Sequence, residues 1–201
     1  VGDTLTVSDG AGAWRDCRFG PELEPAGEIH DLAAPDPVLT VGFALVKGER
    51  PELIVQKLTE LGIDRIVAFP AARSVVRWDA ERALRHGQRL GRVAREASMQ
   101  SRRCWLPEIV VASGFGEVVA ASDRPALALA DRDGEAPSGA TTTVLVGPEG
   151  GWTDQERAAV PRQVGLGDHV LRVETAAIAA GVVLGALRSG RLKPARIAGG
   201  V

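Results

Sequence analysis

Two stretches in the last third of the chain restrict its fold more than anything else in it. One runs Val144-Leu145-Val146-Gly147-Pro148-Glu149-Gly150-Gly151-Trp152-Thr153-Asp154-Gln155-Glu156; the other runs Leu166-Gly167-Asp168-His169-Val170-Leu171-Arg172-Val173-Glu174-Thr175-Ala176-Ala177. Each reads as a strand, a tight loop and a helix. Residues 143–146 are β-branched or aliphatic and uncharged, which suits a strand buried on both faces of a parallel sheet. Gly147, Gly150 and Gly151 allow the next turn to bend sharply and approach a ligand. Thr153 followed by Glu156 is a capping box, so a helix begins there. Free N–H groups of the loop then lie near the positive end of that helix. In the second stretch Thr175 reads as the N-cap of an Ala-rich helix. Two such loops can face each other and close over one small molecule. The plain alternative is a glycine turn before a capped helix.

The rest of the chain fits an α/β sheet. Residues 38–46 form an apolar strand, Pro51 suits a first helical turn, and Leu53, Ile54, Leu58 and Leu61 mark a helical face closed by Gly62. Residues 65–69 are the next strand. Strand, helix, strand at this spacing is a βαβ unit and implies parallel pairing. Further strands are expected at 108–112 and 126–130, and helices at 153–164 and from Thr175 to about Ser189. The final helix holds Ala176, Ala177, Ala179, Ala180, Gly181, Gly185 and Ala186. Glycine costs stability inside a helix, so close packing against another helix, of this chain or of a twin subunit, is the expected return. Before the sheet, residues 5–7 and 13–19 read as a β-hairpin. The Pro-containing run at 34–37 reads as a linker, and residues 191–201 as a frayed tail.

Of 201 residues, 45% are hydrophobic and 25% charged, ordinary for a globular chain. No apolar run is long enough to span a bilayer. No signal-peptide pattern opens the chain, so the cytoplasm is the expected location, and the missing initiator Met suggests a processed or trimmed start. Cys17 and Cys104 are isolated, and His30, His86 and His169 are scattered without metal-ligand spacing. No metal and no membrane partner is expected, and each His reads as a surface or packing residue. No GxxxxGK[ST], GxGxxG or GxSxG occurs. The formal net charge is −2, yet residues 73–103 carry nine Arg against Asp79, Glu81 and Glu96, a local balance of +6. Arg82, Arg85, Arg89 and Arg92 fall near one side of a helix. A solvated helix face is the plain reading; a nucleic-acid surface is the other.

GPEGG followed by LGxxxLRxETA, here with Val173 where Thr is usual, resembles the SPOUT methyltransferases. Within them it is most similar to the ribosomal RNA small subunit methyltransferase E family. The resemblance covers roughly residues 39–187 and includes Gln56-Lys57-Leu58-Thr59-Glu60-Leu61-Gly62 and Arg95-Glu96-Ala97-Ser98-Met99-Gln100-Ser101-Arg102-Arg103, with Met99 in place of a commoner polar residue. It implies a SPOUT-type parallel sheet flanked by helices with a C-terminal trefoil knot at 38–190. A partial PUA-like β-barrel RNA-binding segment is implied at 1–34. The implied activity is S-adenosylmethionine-dependent methylation of a uridine N3 in 16S rRNA of the small subunit, by a homodimer with the final helix in or near its interface.

On this reading the cofactor site comprises Val146, Gly147, Glu149, Gly150 and Gly151 on one wall. Leu166, Leu171, Arg172, Thr175 and Ala176 form the other, and Leu129 a third side. RNA would meet Arg73, Arg77, Arg95, Gln100, Arg102 and Arg103. Arg172 would stabilise the anion that forms on the base, with Glu174 orienting it or taking the proton; a structural salt bridge at a helix N-terminus is the plain alternative for this pair. Two other functions remain open at this point: a non-catalytic RNA-binding or ribosome-assembly protein keeping the fold, and a nucleotide-binding enzyme using GPEGG as an anion loop.

Overall fold

The computed structural model describes residues 2–192. The expected tail at 191–201 therefore lies almost wholly outside the described residues. The chain opens with a small antiparallel sheet: β1 (Thr4–Ser8), β2 (Ala13–Arg18), β3 (Glu24–Pro25) and β4 (His30–Asp31). β2 is central, pairing with β1 along one edge and with β3 and β4 along the other. The β1–β2 turn is tied by Asp9 Oδ1, which accepts from the amides of Ala11 and Ala13. Only Cys17 of this sheet is a buried apolar residue. The sheet leans on the segment just before Glu108, where Ala11 bridges to Trp105 and the Trp105 indole N–H donates to Leu32 O.

The second sheet has six strands: β5 (Thr40–Ala44), β6 (Arg65–Phe69), β7 (Glu108–Val111), β8 (Leu127–Glu135), β9 (Thr143–Val146) and β10 (Gln163–Val164). They lie in the order β10-β8-β9-β5-β6-β7, all parallel. Helices α1 (Arg50–Glu60), α2 (Ala80–Gln100), α3 (Phe115–Ala120), α4 (Asp154–Ala159) and α5 (Val173–Arg188) cover it. Alternate strand residues point to opposite faces. Val41, Phe43, Ile66, Ala68, Val144 and Val146 pack under α1, α2 and α5 with Ile54, Leu58, Leu90, Ala177 and Leu184. Val67, Phe69, Leu129 and Leu145 pack with Val118, Val119 and Trp152 on the other face. A three-layer α/β domain results, with β5 and β9 buried along their whole length.

Three local expectations need correction. The last helix starts at Val173, not after Thr175, because extended Arg172 is its N-cap and the Arg172 carbonyl accepts from Ala176 N at 2.9 Å. The helix expected over 153–164 stops at Ala159: Pro161 disfavours a helical Val160 and cannot continue the ladder. Residues 163–164 then add the edge strand β10. The strand ending near Ala130 continues to Glu135, pairing with β10. The small residues of α5 meet α1 of the same chain. A Cβ on Gly181 would stand 2.7 Å from Leu58 Cδ2, closer than atoms can pack, so the two helices approach only because that carbon is missing.

Candidate active site

The strand order turns between β9 and β5, and beside that turn the loops leaving the carboxyl ends of β9 and β10 open a cleft, at the sheet edge where ligands sit in folds of this kind. Its volume is about 420 Å³, within the range of small-molecule sites. The first loop forms one wall with Val146, Gly147, Pro148, Glu149, Gly151 and Trp152. The loop is held from several directions. Thr153 and Glu156 make the expected capping box, and the other Glu156 oxygen accepts from Ala72 N at 2.9 Å, which buries that carboxylate without leaving it unpaired. Trp152 Nε1 donates to Ala130 O at 3.0 Å. Its ring lies so close to the loop that a Cβ on Gly147 would stand 2.8 Å from it. Glycine at 147 is therefore required by the indole itself.

The second loop forms the facing wall with Leu166, Gly167, His169, Val170, Leu171 and Arg172, backed by Ala176 of α5. The third side is Ala130, Asp131, Arg132 and Asp133 from the far end of β8, with Arg157 of α4. Arg157 is ion-paired with Asp131, whose side chain is largely buried, and its guanidinium also donates to Gln163 Oε1. Arg132 and Asp133 pair side by side; the guanidinium holds the Asp133 carboxyl below its ordinary pKa.

Eight expected cofactor residues thus meet around one cleft: Val146, Gly147, Glu149, Gly151, Leu166, Leu171, Arg172 and Ala176. Three stand back from its lining. Leu129 is fully buried in the core one residue before Ala130. The carbonyl of Gly150 accepts from Arg73 Nη1 at 2.9 Å. Thr175 is exposed in the first turn of α5.

The expected Arg172–Glu174 pair is not formed. Positions two apart at a helix start do not face each other, and Glu174 turns instead toward Arg50, with Oε1 3.8 Å from its Nε. Arg50 also reaches Glu149 Oε1 at 3.3 Å. Arg172 is exposed at the rim. Sequence reasoning missed Arg50, because its partners lie far along the chain. It also missed Asp131, Asp133 and Arg157, and gave His169 only a surface or packing part. The one available signal was the position of 131–133 just beyond an apolar strand.

The basic segment separates into engaged and free cations. Arg82, Arg85 and Arg89 pair with Asp79, Glu81 and Glu52, so the solvated-face reading holds for that half of α2. Arg73 holds the first loop through Gly150 O and Trp152 O, and Arg77 donates to Ala72 O at 3.4 Å. Arg92, Arg95, Gln100 and Arg102 are exposed. Arg103, expected at the RNA, is turned inward. Its guanidinium donates to Thr59 O, Ile63 O and Asp64 Oδ1. Burial lowers its pKa, with Asp64 opposing the drop and nearby Arg188 adding to it.

Comparison with known proteins agrees with this architecture. A family model described as an RNA methyltransferase domain matches residues 34–185. A ribosomal RNA small subunit methyltransferase E from Mycobacterium bovis is 33% identical over 94% of this chain and 80% of its own length. The chain belongs to that family. The methyltransferase E of Bacillus subtilis is also 33% identical, over 68% of this chain; the match spans 60% of that relative's length. Among solved structures, a methyltransferase E from Neisseria gonorrhoeae bound to S-adenosyl methionine superposes with a TM-score of 0.74, at 28% identity, covering 92% of this chain and 84% of the other. Methyltransferase E membership accounts for the α/β sheet flanked by helices. Among the described residues no helix is long and apolar enough to cross a membrane, and no cluster of three or more His, Cys, Asp or Glu is placed to hold a metal ion.

Proposed function

We propose that the chain transfers the methyl group of S-adenosylmethionine to N3 of a uridine in 16S rRNA of the small ribosomal subunit. The observation that carries this reading is the convergence of two glycine loops, from opposite walls, on one cleft at the carboxyl edge of the parallel sheet. The lining suits the cofactor's chemistry. Val146, Leu166, Leu171 and Ala176 offer apolar surface to a base, while Asp131, Asp133 and Glu149 offer carboxylates to hydroxyls, an amine or a sulfonium. When bound, S-adenosylmethionine supplies an electrophilic methyl group, so the hard chemistry is the cofactor's. The chain's own task is to align base and methyl donor and to complement charge.

Uridine N3 loses its proton before or during attack, and the base becomes an imide-like anion. In this reading Arg172, always charged and exposed on the rim, stabilises it. Glu174 is occupied on the Arg50 side, so Arg172 acts in this reading without it. Arg77, Arg95, Gln100 and Arg102 are the exposed side chains offered to RNA. Residues 1–34 serve as the RNA-binding PUA-like segment and 38–190 as the SPOUT domain, its C-terminal part knotted. Two copies act together in the cytoplasm as a homodimer through the α5 side.

The test is methyl incorporation into small subunits from cells lacking the enzyme, with nucleoside analysis expected to give 3-methyluridine. Arg172→Ala should lower turnover on the order of 100-fold with little change in cofactor affinity, and Arg172→Lys should restore part of it. Parent-rate turnover by Arg172→Ala would remove the catalytic role, and a ribose-methylated product would overturn the substrate. RNA binding without any binding of S-adenosylmethionine would favour a non-catalytic assembly protein.

A further inference from the structure

We propose that Arg50 is a positioning residue that clasps the two loops together and so sets the width of the cleft. This rests on the reading of the cleft as the S-adenosylmethionine site. Arg50 is the first residue of α1 and does not itself line the cleft. Its Nη1 is 3.3 Å from Glu149 Oε1 on the first loop, and its Nε is 3.8 Å from Glu174 Oε1 in the first turn of α5, directly after the second loop. One guanidinium therefore joins the first loop to the start of the helix on which the second loop ends.

The three exposures decide what the contact does. The Glu174 side chain is only 15% exposed, and its Oε2 has no hydrogen-bond partner. A carboxylate so covered needs a cation, and Arg50 is the one ion-paired with it among the described residues. Arg50 and Glu149 are 41% and 54% exposed, so their pair adds little to global stability. What it does is local. Without the cation, the two carboxylates repel, and the first loop moves away from the start of α5. Pro51 in the first turn of α1 fixes the backbone beside Arg50, so the guanidinium reaches out from a rigid base.

The experiment has two arms on the full chain. In the first, hydrogen exchange is followed without ligand over residues 147–152 and 167–174. Arg50→Gln should speed exchange in both segments and leave the sheet strands little changed, with the thermal midpoint lowered by a few degrees because the covered Glu174 carboxylate loses its cation. In the second, calorimetry with S-adenosylmethionine should show affinity weakened about three- to ten-fold, the sum of two modest ion pairs. The gap between parent and variant should shrink as salt rises, because exposed charges are screened. Arg50→Lys should fall between them, since one ammonium cannot match two carboxylates as the planar fork does. In the exchange arm, without ligand, Glu149→Gln should loosen the first loop of the parent, yet add little in the Arg50→Gln background.

Unchanged exchange in both loops overturns the clasp, as does faster exchange spread over the whole sheet, which would make Arg50 a support of α1. If the parent binds no S-adenosylmethionine, the cofactor reading fails while the exchange arm still decides the clasp.

Discussion

Replacing Asp64 by Ala should destabilise the fold more than any single change at the cleft. Asp64 sits just before β6 with its side chain only 10% exposed, between two guanidinium groups that are 12% and 21% exposed. Its Oδ1 accepts from Arg103 Nη2 at 2.7 Å; its Oδ2 accepts from Arg188 and from Leu39 N at 2.9 Å. One carboxylate therefore joins the segment before β5, the start of β6, the segment after α2 and the C-terminal end of α5. Removing one partner of a buried ion pair costs roughly 3–5 kcal/mol, because the remaining charge is left buried. Both arginines keep main-chain acceptors: Arg103 at Thr59 and Ile63, Arg188 at Pro37 and Gly62. The lower half of that range, about 3–4 kcal/mol, is therefore expected. At roughly 2–4 °C per kcal/mol for a domain of this size, the thermal midpoint should fall by about 6–16 °C. Urea unfolding should report the same loss as a lower midpoint with an unchanged slope. Replacing Asp64, Arg103 and Arg188 together by apolar residues of similar volume should recover most of the stability, since the desolvation cost disappears with the charges. A loss below about 1 kcal/mol in Asp64→Ala, the size of a solvent-exposed pair, would refute the reasoning.

Arg102 and Arg103 should separate cleanly: Arg102→Ala should weaken RNA binding and reduce its salt slope by about 1 with the midpoint unchanged, whereas Arg103→Ala should lower the midpoint. Equal effects of the two on salt slope, read by filter binding over a salt series, would count against this division. Gly147→Ala places a carbon against the Trp152 indole, so the loop or the ring must shift; calorimetry should show weaker cofactor binding and tryptophan fluorescence should change, and parent values for both would contradict it. Glu117 accepts from the Ser113 amide and hydroxyl, which lowers its pKa. Its contribution is present above the ordinary carboxylate value and is lost as pH falls through the lowered one. Ser113→Ala should raise the Glu117 midpoint in an NMR titration, and no movement would refute the assignment.

The architecture was legible wherever a local rule governed it. The uncharged β-branched run before Gly147, the capping box at Thr153 and Glu156, and the βαβ spacing from β5 to β6 all formed as expected. What was hidden depended on partners far along the chain. Arg102 and Arg103 are adjacent and chemically identical in the sequence. Yet Arg102 adopts a φ of 54° and points out, while Arg103 is drawn in by Asp64. Glu174 was read with its near neighbour Arg172, and its partner proved to be Arg50. β10 is two residues long and owes its existence to the extension of β8 beside it.

The position of β5 also bears on how the chain is made. Its neighbours on one side, β6 and β7, follow it in sequence, but its other edge pairs with β9, so that Thr40 waits for Thr143. During synthesis, β5 to β7 can assemble with α1 and α2 while the other edge of β5, a strand buried at every position once folded, stays open. At roughly 5–20 residues per second, that open interval lasts several seconds on the ribosome. Such an edge invites pairing with other chains, and pairings this far apart in sequence form slowly. Yield in the cell should therefore respond to the speed of translation between β7 and β9, and to chaperones that cover an unpaired strand, more than to the stability of the finished domain.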